Sequence, residues 1–487
     1  MDTYSWSNRG VRWDVPEWLS FVLFALAYRA VRFLGVWLVM ASVTVATVMV
    51  VWRYLAPRLG LRWAFPLCGI MVLAMSDCIQ ERPYIYTYFW LAVSLALIMS
   101  VRSGKDGYAR NPNRLLLLLP IAVVWANLHQ GVIVLVGLLC AFGLGDALDA
   151  MRRRDVETRS DHAVRARWML GLSAGCFLAA LINPYGWGIY RNIAVTLGDP
   201  HLMSSVTEWK PITVLPFGQM QPFLLILTVS ALAFSLSRRS AGDIFPVCAL
   251  TLEAILHARN IALFAIGAIV ISAPYLQDII ERLRGRVVST SPPLLISGML
   301  AFFTVLCVST LGMVTAATLR RTAGPLGYNP ERIAEAVARV PSYPADAVAF
   351  MDREAFPSNL RLLNNFEIGG YLMWTIPREP VFVDGRLDVY TGRTFDDNLI
   401  LAGQSGTARW NTLVARYDFD CVITNVKRQG EAFEKDPHFA LVYRDPLRPH
   451  HKRCRIFLAR KPQFAALISR CLHDRPGDSD TPKGMAN

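Results

Sequence analysis

The residue types able to do chemistry in this chain gather at the ends of apolar runs. Asp14 and Glu17, in RWDVPEWLS, are carboxylates that could take a proton from an attacking hydroxyl or hold a divalent cation against a phosphate. Arg82, in SDCIQERPYIY, carries the planar fork that grips phosphate through two parallel hydrogen bonds, with Asp77 and Glu81 as counter-ions or a second pair of acids. Asn127 and His129, in WANLHQG, occupy a turn so short that both lie near bilayer depth, where polar groups are costly unless they face the bundle interior or a wet cavity. His129 there is a proton carrier, a metal ligand or a phosphate contact. Glu253 precedes His257 by one helical turn, which places them on one face, and Arg259 and Asn260 follow directly. Glu208, in SSVTEWKP, belongs to a connection over 185–221 long enough to cover a site.

Each of these residues also has a structural reading. Acids ahead of a helix stabilise its dipole, and Glu17 follows Pro16 in that position. Arg82 before Pro83 is also a solvated turn residue, and Asn127 and His129 could satisfy the turn's own backbone groups. An ion pair with His257 or Arg259 is the competing role for Glu253.

The elements that must position these residues are membrane helices. The chain of 487 residues is 53% hydrophobic, too apolar for an ordinary water-soluble protein. A span needs about 20 residues. Apolar cores fall at 35–56, 64–76, 86–101, 115–126, 131–148, 168–182, 223–236, 244–256, 261–275 and 294–316, which predicts about ten spans. The second, fourth and eighth cores are short enough to be re-entrant or interfacial segments instead. Ahead of them, 17–33 mixes apolar and aromatic residues with Arg29 and Arg32, the composition of a helix lying in the interface. Because this outward N-terminus has neither a signal peptide nor a preceding span, a further helix upstream is expected in the natural chain or its ancestor.

Basic residues alternate with the polar motifs along the chain. Arg53, Arg58 and Arg62, then Arg102 to Arg114, Arg152 to Arg167, Arg238 and Arg239, and Arg282 to Arg286 fill every second loop, so the positive-inside rule sets them in the cytoplasm and the polar motifs, with both chain ends, outside. The net charge of +13 thus follows topology and does not form a nucleic-acid patch.

From residue 320 the composition is that of a water-soluble domain. Helices are expected at 344–356, 367–375 and 410–417, and strands at 361–365, 380–384, 421–424, 440–443 and 455–458, a small α/β layered domain. Asp384, Arg386 and Asp388 in VFVDGRLDVY read either as a binding site at a strand end or as a turn closed by an internal salt bridge. Cys421, Cys454 and Cys471 are three of nine cysteines, and an oxidising compartment would permit a disulfide among them. The predicted division is an extracytoplasmic segment with an interfacial helix over 1–34, a helical membrane domain over 35–319, an extracytoplasmic α/β domain over 320–473 and a disordered tail over 474–487.

Taken in order, DTYSWSNRG, EWLSFVLFALAY, ERPYIYTYF, WANLHQG, NPYGW, TEWKP, HARNIALFAI and NNFEIGGYLMWTIPREPVFVDGRLDVY resemble a family of bacterial multi-spanning proteins similar to the GT-C class of membrane glycosyltransferases, which includes protein O-mannosyltransferases and the aminoarabinose lipid A transferase. The resemblance implies inverting transfer of a sugar from a polyprenyl-phosphate donor to a glycan, lipid or protein acceptor, at the outer face of a bacterial cytoplasmic membrane. Chains of this kind usually begin with another span and an acidic, tryptophan-rich motif, which is missing ahead of Asp2. Glu17 and Asp14 are therefore the expected catalytic carboxylates. Arg82, His129, Asn127, Glu208, Glu253, His257, Arg259 and Asn260 are the expected contacts to substrate, with a divalent cation left open. A lipid-linked sugar transporter or flippase, or a non-catalytic assembly protein of the same descent, would use the same polar groups.

Overall fold

The computed structural model describes residues 1–80, 82–103, 112–198, 207–237, 240–286, 343–386, 389–390, 392–446 and 453–473. They divide into two compact units, one drawn from Met1–Trp13, Ala194–Leu202 and Glu331–Asn487, the other from Asp14–Ile193 and Met203–Pro330.

The larger unit is helical. In chain order its helices are α1 (Trp18–Leu59), α2 (Leu61–Met75), α3 (Ile85–Arg102), α4 (Leu118–Leu128), α5 (Val132–Arg152), α6 (Val156–Ala179), α7 (Gly188–Leu197), α8 (Phe217–Leu236), α9 (Ala241–Leu256) and α10 (Ile261–Arg286). Among the described residues six helices are long and apolar enough to cross a membrane: Trp18–Leu59, Leu61–Cys78, Ile85–Arg102, Val132–Arg152, Gly218–Leu236 and Ala258–Leu283. Each of the six falls on one of the ten expected cores. The fourth core lies in a 3-10 helix over Pro112–Leu117 continued by the 11-residue α4, and the eighth in a 16-residue helix, both shorter than the roughly 20 residues of a span. The sixth core is the apolar end of α6, whose first turns carry Glu157, Arg159 and Asp161. The tenth, 294–316, lies outside the described residues.

The helix expected at 17–33 is the first part of α1: the backbone leaves helical geometry at Val31 and Arg32, with Arg32 at φ +55°, so a first helix meets the expected first span at a kink. Gly35 stands against the Ala27 carbonyl, so a side chain there would collide with backbone. At the centre of the bundle α10 is apolar on all sides, and Ala262, Phe264, Ala265, Ile266, Ala268, Val270 and Ile271 are fully buried.

The smaller unit holds a four-stranded mixed sheet in the order β1-β2-β4-β3, from β1 (Leu362–Asn364), β2 (Cys421–Thr424), β3 (Phe439–Arg444) and β4 (Arg455–Ala459). β1 and β2 pair in parallel and the other neighbours are antiparallel. Every residue of β1 and β2 is buried, as a sheet covered on both faces requires. Helices α11 (Ala345–Arg353), α12 (Phe366–Thr375), α13 (Arg393–Gly403), α14 (Ala408–Tyr417), α15 (Lys427–Lys435) and α16 (Ala465–His473) complete it. Cys421, Cys454 and Cys471 are buried.

Residues 1–13 belong to this unit. Ser5 bridges Val381 in parallel, Val381 N–H donates to the Tyr4 carbonyl and Trp6 N–H to the Val381 carbonyl. The segment 380–384, expected as a strand, is buried and has this bridge as its pairing partner among the described residues. The Trp6 indole N–H donates to the Leu362 carbonyl at 2.9 Å while its ring packs on Phe382 and Phe419. Asp2, fully buried, takes a 2.7 Å bond from Arg386, whose guanidinium also grips Asp384 through two nitrogens. Asp384 is thereby an internal counter-ion and not an open binding group. The partner proposed for Arg386 within its own turn, Asp388, lies outside the described residues.

Candidate functional site

Where the connections before α3 and after α9 meet, within the helical unit, two of the expected arginines share one carboxylate. Arg82 Nη1 lies 2.8 Å from Glu208 Oε1, and Arg259 Nη1 lies 3.8 Å from the same oxygen. Arg259 is held on both sides by aromatic rings, with its guanidinium carbon 4.4 Å from the centre of Tyr84 and 4.3 Å from that of Trp209. Two cations thus share one anion, with Arg82 more than half exposed and Arg259 mostly covered.

These residues line a cavity of about 760 Å³. Its polar wall is made by Asp77, Gln80, Arg82, Glu208 and Arg259, and its apolar wall by Ile70, Leu73, Leu215, Leu225 and Ile261. A chamber lined by both cations and aliphatic chains matches an amphiphile with an anionic head.

Glu17 occupies the N-cap of α1, yet its side chain does not cap the helix. Its Oε1 lies 3.0 Å from His129 Nε2. Gly131 N–H donates to His129 Nδ1 at 2.8 Å, so Nδ1 is unprotonated and the hydrogen on Nε2 points at Glu17. Thr87 Oγ1, 2.7 Å from the same Nδ1, receives the Trp125 indole N–H and donates to the ring. The result is a carboxylate oriented by an imidazole in a fixed tautomer. Both turn residues owe their position to sequence: α4 ends at Leu128, and His129 adopts extended geometry as its C-cap.

Tyr84 joins the two halves. Its ring meets the His129 ring edge-on at 5.0 Å between centres, carries Arg259, and its hydroxyl donates to Asn260 Oδ1 at 2.9 Å. Asn260 Nδ2 in turn donates to Glu253 at 3.2 Å. A connected network therefore runs from Glu17 through His129 and Tyr84 to Arg259, Glu208 and Arg82, with a branch to Asn260 and Glu253.

The cavity wall includes Arg82, Glu208 and Arg259; Glu17 and His129 do not line it but reach it through Tyr84, which does. Glu253 is exposed on the last turn of α9, and His257 has left the helix as its C-cap. His257 Nδ1 instead lies 2.9 Å from the Trp209 carbonyl. Asn127 is occupied: its amide nitrogen donates to Val123 and Ile182 carbonyls and its oxygen accepts from the Trp18 indole, tying α1 to the region after α6. Asp14 is paired with Arg191 at 2.5 Å.

The polar cluster at the far end of α3 was not legible in the sequence. Arg102, counted there among loop cations, is almost wholly buried; it pairs with Asp146 at 2.6 Å and Asp243 at 2.7 Å. Tyr275 donates to Asp243 at 2.7 Å, and Asp149 accepts from Ser240 Oγ and Ala241 N–H at the start of α9. Ligand atoms of Asp146, Asp149 and His162 lie within 4.8 Å of one another, but both carboxylates are already engaged by these donors. The signal that could have revealed the cluster is GDALDA, two acids one turn apart inside an apolar run.

Comparison with protein-family models and with curated protein sequences finds no match to this chain.

Proposed function

We propose that this protein transfers a sugar from a polyprenyl-phosphate donor to a hydroxyl acceptor at the outer face of a bacterial cytoplasmic membrane. The observation that carries the reading is the cavity lined by Arg82 and Arg259 together with aliphatic side chains. An anionic lipid head bonds the arginines and releases Glu208 from its present sharing, while the first isoprenoid units cover the leucines. On this reading the acceptor oxygen attacks the anomeric carbon, its proton passes to the Glu17 carboxylate, and the carbon–oxygen bond to phosphate breaks with the electron pair leaving on the lipid phosphate. His129 holds the carboxylate through its Nε2 hydrogen, and the two arginines take up the charge that develops on the leaving group.

The test uses full-length protein in lipid nanodiscs with radiolabelled polyprenyl-phosphate sugars and a panel of hydroxyl acceptors. Label should move to an acceptor; Glu17→Gln should lower the rate by roughly 10²- to 10⁴-fold with donor binding intact, and Arg259→Ala should weaken donor binding. Full transfer by Glu17→Gln removes its assignment as base. Donor uptake into vesicles without transfer replaces the enzyme by a transporter.

A further inference from the structure

The smaller unit carries a second opening, a groove of about 680 Å³ between α14, α15 and the edge formed where β3 begins and β4 ends. Its floor is apolar, from Val414, Ala415, Ala432 and Pro437, with Trp410 and Phe419 buried beneath them. Its charges are unevenly satisfied. Asp418 is bridged by Lys461 at 3.0 Å, and Asp436 accepts the backbone N–H of His438 at 2.9 Å. By contrast, the side chains of Lys435, His438 and Arg460 have no ion pair or hydrogen bond among the described residues, and all three are exposed.

We propose that this groove binds an acidic oligosaccharide, with carboxylate or phosphate groups on Lys435 and Arg460 and the apolar faces of sugar rings against the floor. The volume lies within the usual range for small-ligand sites, which run to about 1,000 Å³. Cations without internal partners lose least by bonding an external anion. The retained acids Asp418 and Asp436 disfavour a ligand of high, uniform negative charge and accept hydroxyl donors, which selects a saccharide over a nucleic acid. The inference does not depend on the transfer reading, since none of these residues belongs to the helical unit.

Binding can be followed by titration calorimetry on the full-length protein with trigalacturonate, glucose 6-phosphate, maltotriose, inorganic phosphate, an acidic hexapeptide and a thymidine hexanucleotide. Trigalacturonate or the sugar phosphate should bind, the first if carboxylate is the recognised anion and the second if phosphate is. Maltotriose and inorganic phosphate alone should bind at least about tenfold more weakly. The Lys435→Ala, Arg460→Ala double variant should lose about tenfold or more in affinity for the acidic sugar, whereas Arg82→Ala should not change it. Equal binding of maltotriose, tighter binding of the peptide or hexanucleotide, or unchanged affinity in the double variant overturns the proposal. Reduced transfer by Arg82→Ala with intact sugar binding separates this groove from the membrane site.

Discussion

The two ends of α3 carry opposite kinds of polar network. At the Arg102 end a guanidinium almost wholly removed from water meets two carboxylates, and a third carboxylate caps α9. At the Tyr84 end two arginines share one half-exposed glutamate beside a cavity. The first arrangement closes its own charges and fixes the geometry of α3, α5 and α9. The second leaves cationic capacity unspent where there is room for a ligand. Burial with full pairing marks a structural cluster, and shared pairing beside a void marks a candidate site.

The largest effect that can break this comparison is loss of the buried charge. Arg102→Ala leaves Asp146 and Asp243 without their cation and should cost about 3–5 kcal/mol, read as a lowered thermal transition or loss of folded protein in detergent. A wild-type transition would mean that the cluster is not structural. Tyr84 should come next. Tyr84→Ala removes the ring shared by His129 and Arg259 and should cost about 3 kcal/mol or more, whereas Tyr84→Phe keeps the ring and loses the bond to Asn260, about 1 kcal/mol. Equal transitions for the two variants would remove Tyr84 as the joint of the network. Arg82→Ala, at a more than half-exposed pair, should change stability by less than about 1 kcal/mol while weakening anionic-lipid binding. A stability loss equal to that of Arg102→Ala would erase the distinction between the two ends.

The smaller unit offers a pH test of the same principle. Burial pushes the Asp2 carboxyl upward, but hydrogen bonds from Ser5 and Arg386 outweigh it, and its pKa lies below the ordinary 3.8. The unfolded chain therefore binds the proton more readily, so the stabilisation is complete above 3.8 and is lost as pH falls through the lower folded value. Buried Glu379 is displaced upward by desolvation and has the opposite sign: its contribution is full below 4.5 and declines as pH rises through its raised value. Asp2→Asn should flatten the most acidic part of a stability profile measured by hydrogen exchange over residues 2–8. An unchanged profile would remove Asp2 as its source.

Local pattern made much of this readable. β2 has its expected bounds and the other three strands differ by one residue at one or both ends, because each is a short apolar run between turn residues, and Arg82, Glu208 and Arg259 stand out as polar residues beside apolar runs. Tyr84 did not, since an aromatic after Arg-Pro also fits the ordinary belt at a membrane surface. Arg102 was taken as a loop cation because its partners, Asp146 and Asp243, are remote in sequence. The helices α13, α15 and α16 were missed; α15 reads KRQGEAFEK, polar in composition with one buried aromatic, Phe433, and gives a weak apolar signal. Pairing of residues 4–6 with 381 was beyond any local period.

That last pairing has a consequence for biosynthesis. Asp2 and Arg386 are 384 positions apart, so the peptide that completes the smaller unit is synthesised long before its partners and finds its place only after residue 386 has left the ribosome. Until then, residues 2–8 await their partners, and the unit keeps an open seat beside Val381 and Phe382. A tag or fusion ahead of Met1 would burden that late docking step, and a synthetic peptide of residues 1–13 could occupy the seat in trans. The seat also requires the first residues and the smaller unit to reach the same side of the membrane, which makes their meeting a checkpoint on correct insertion of everything between them.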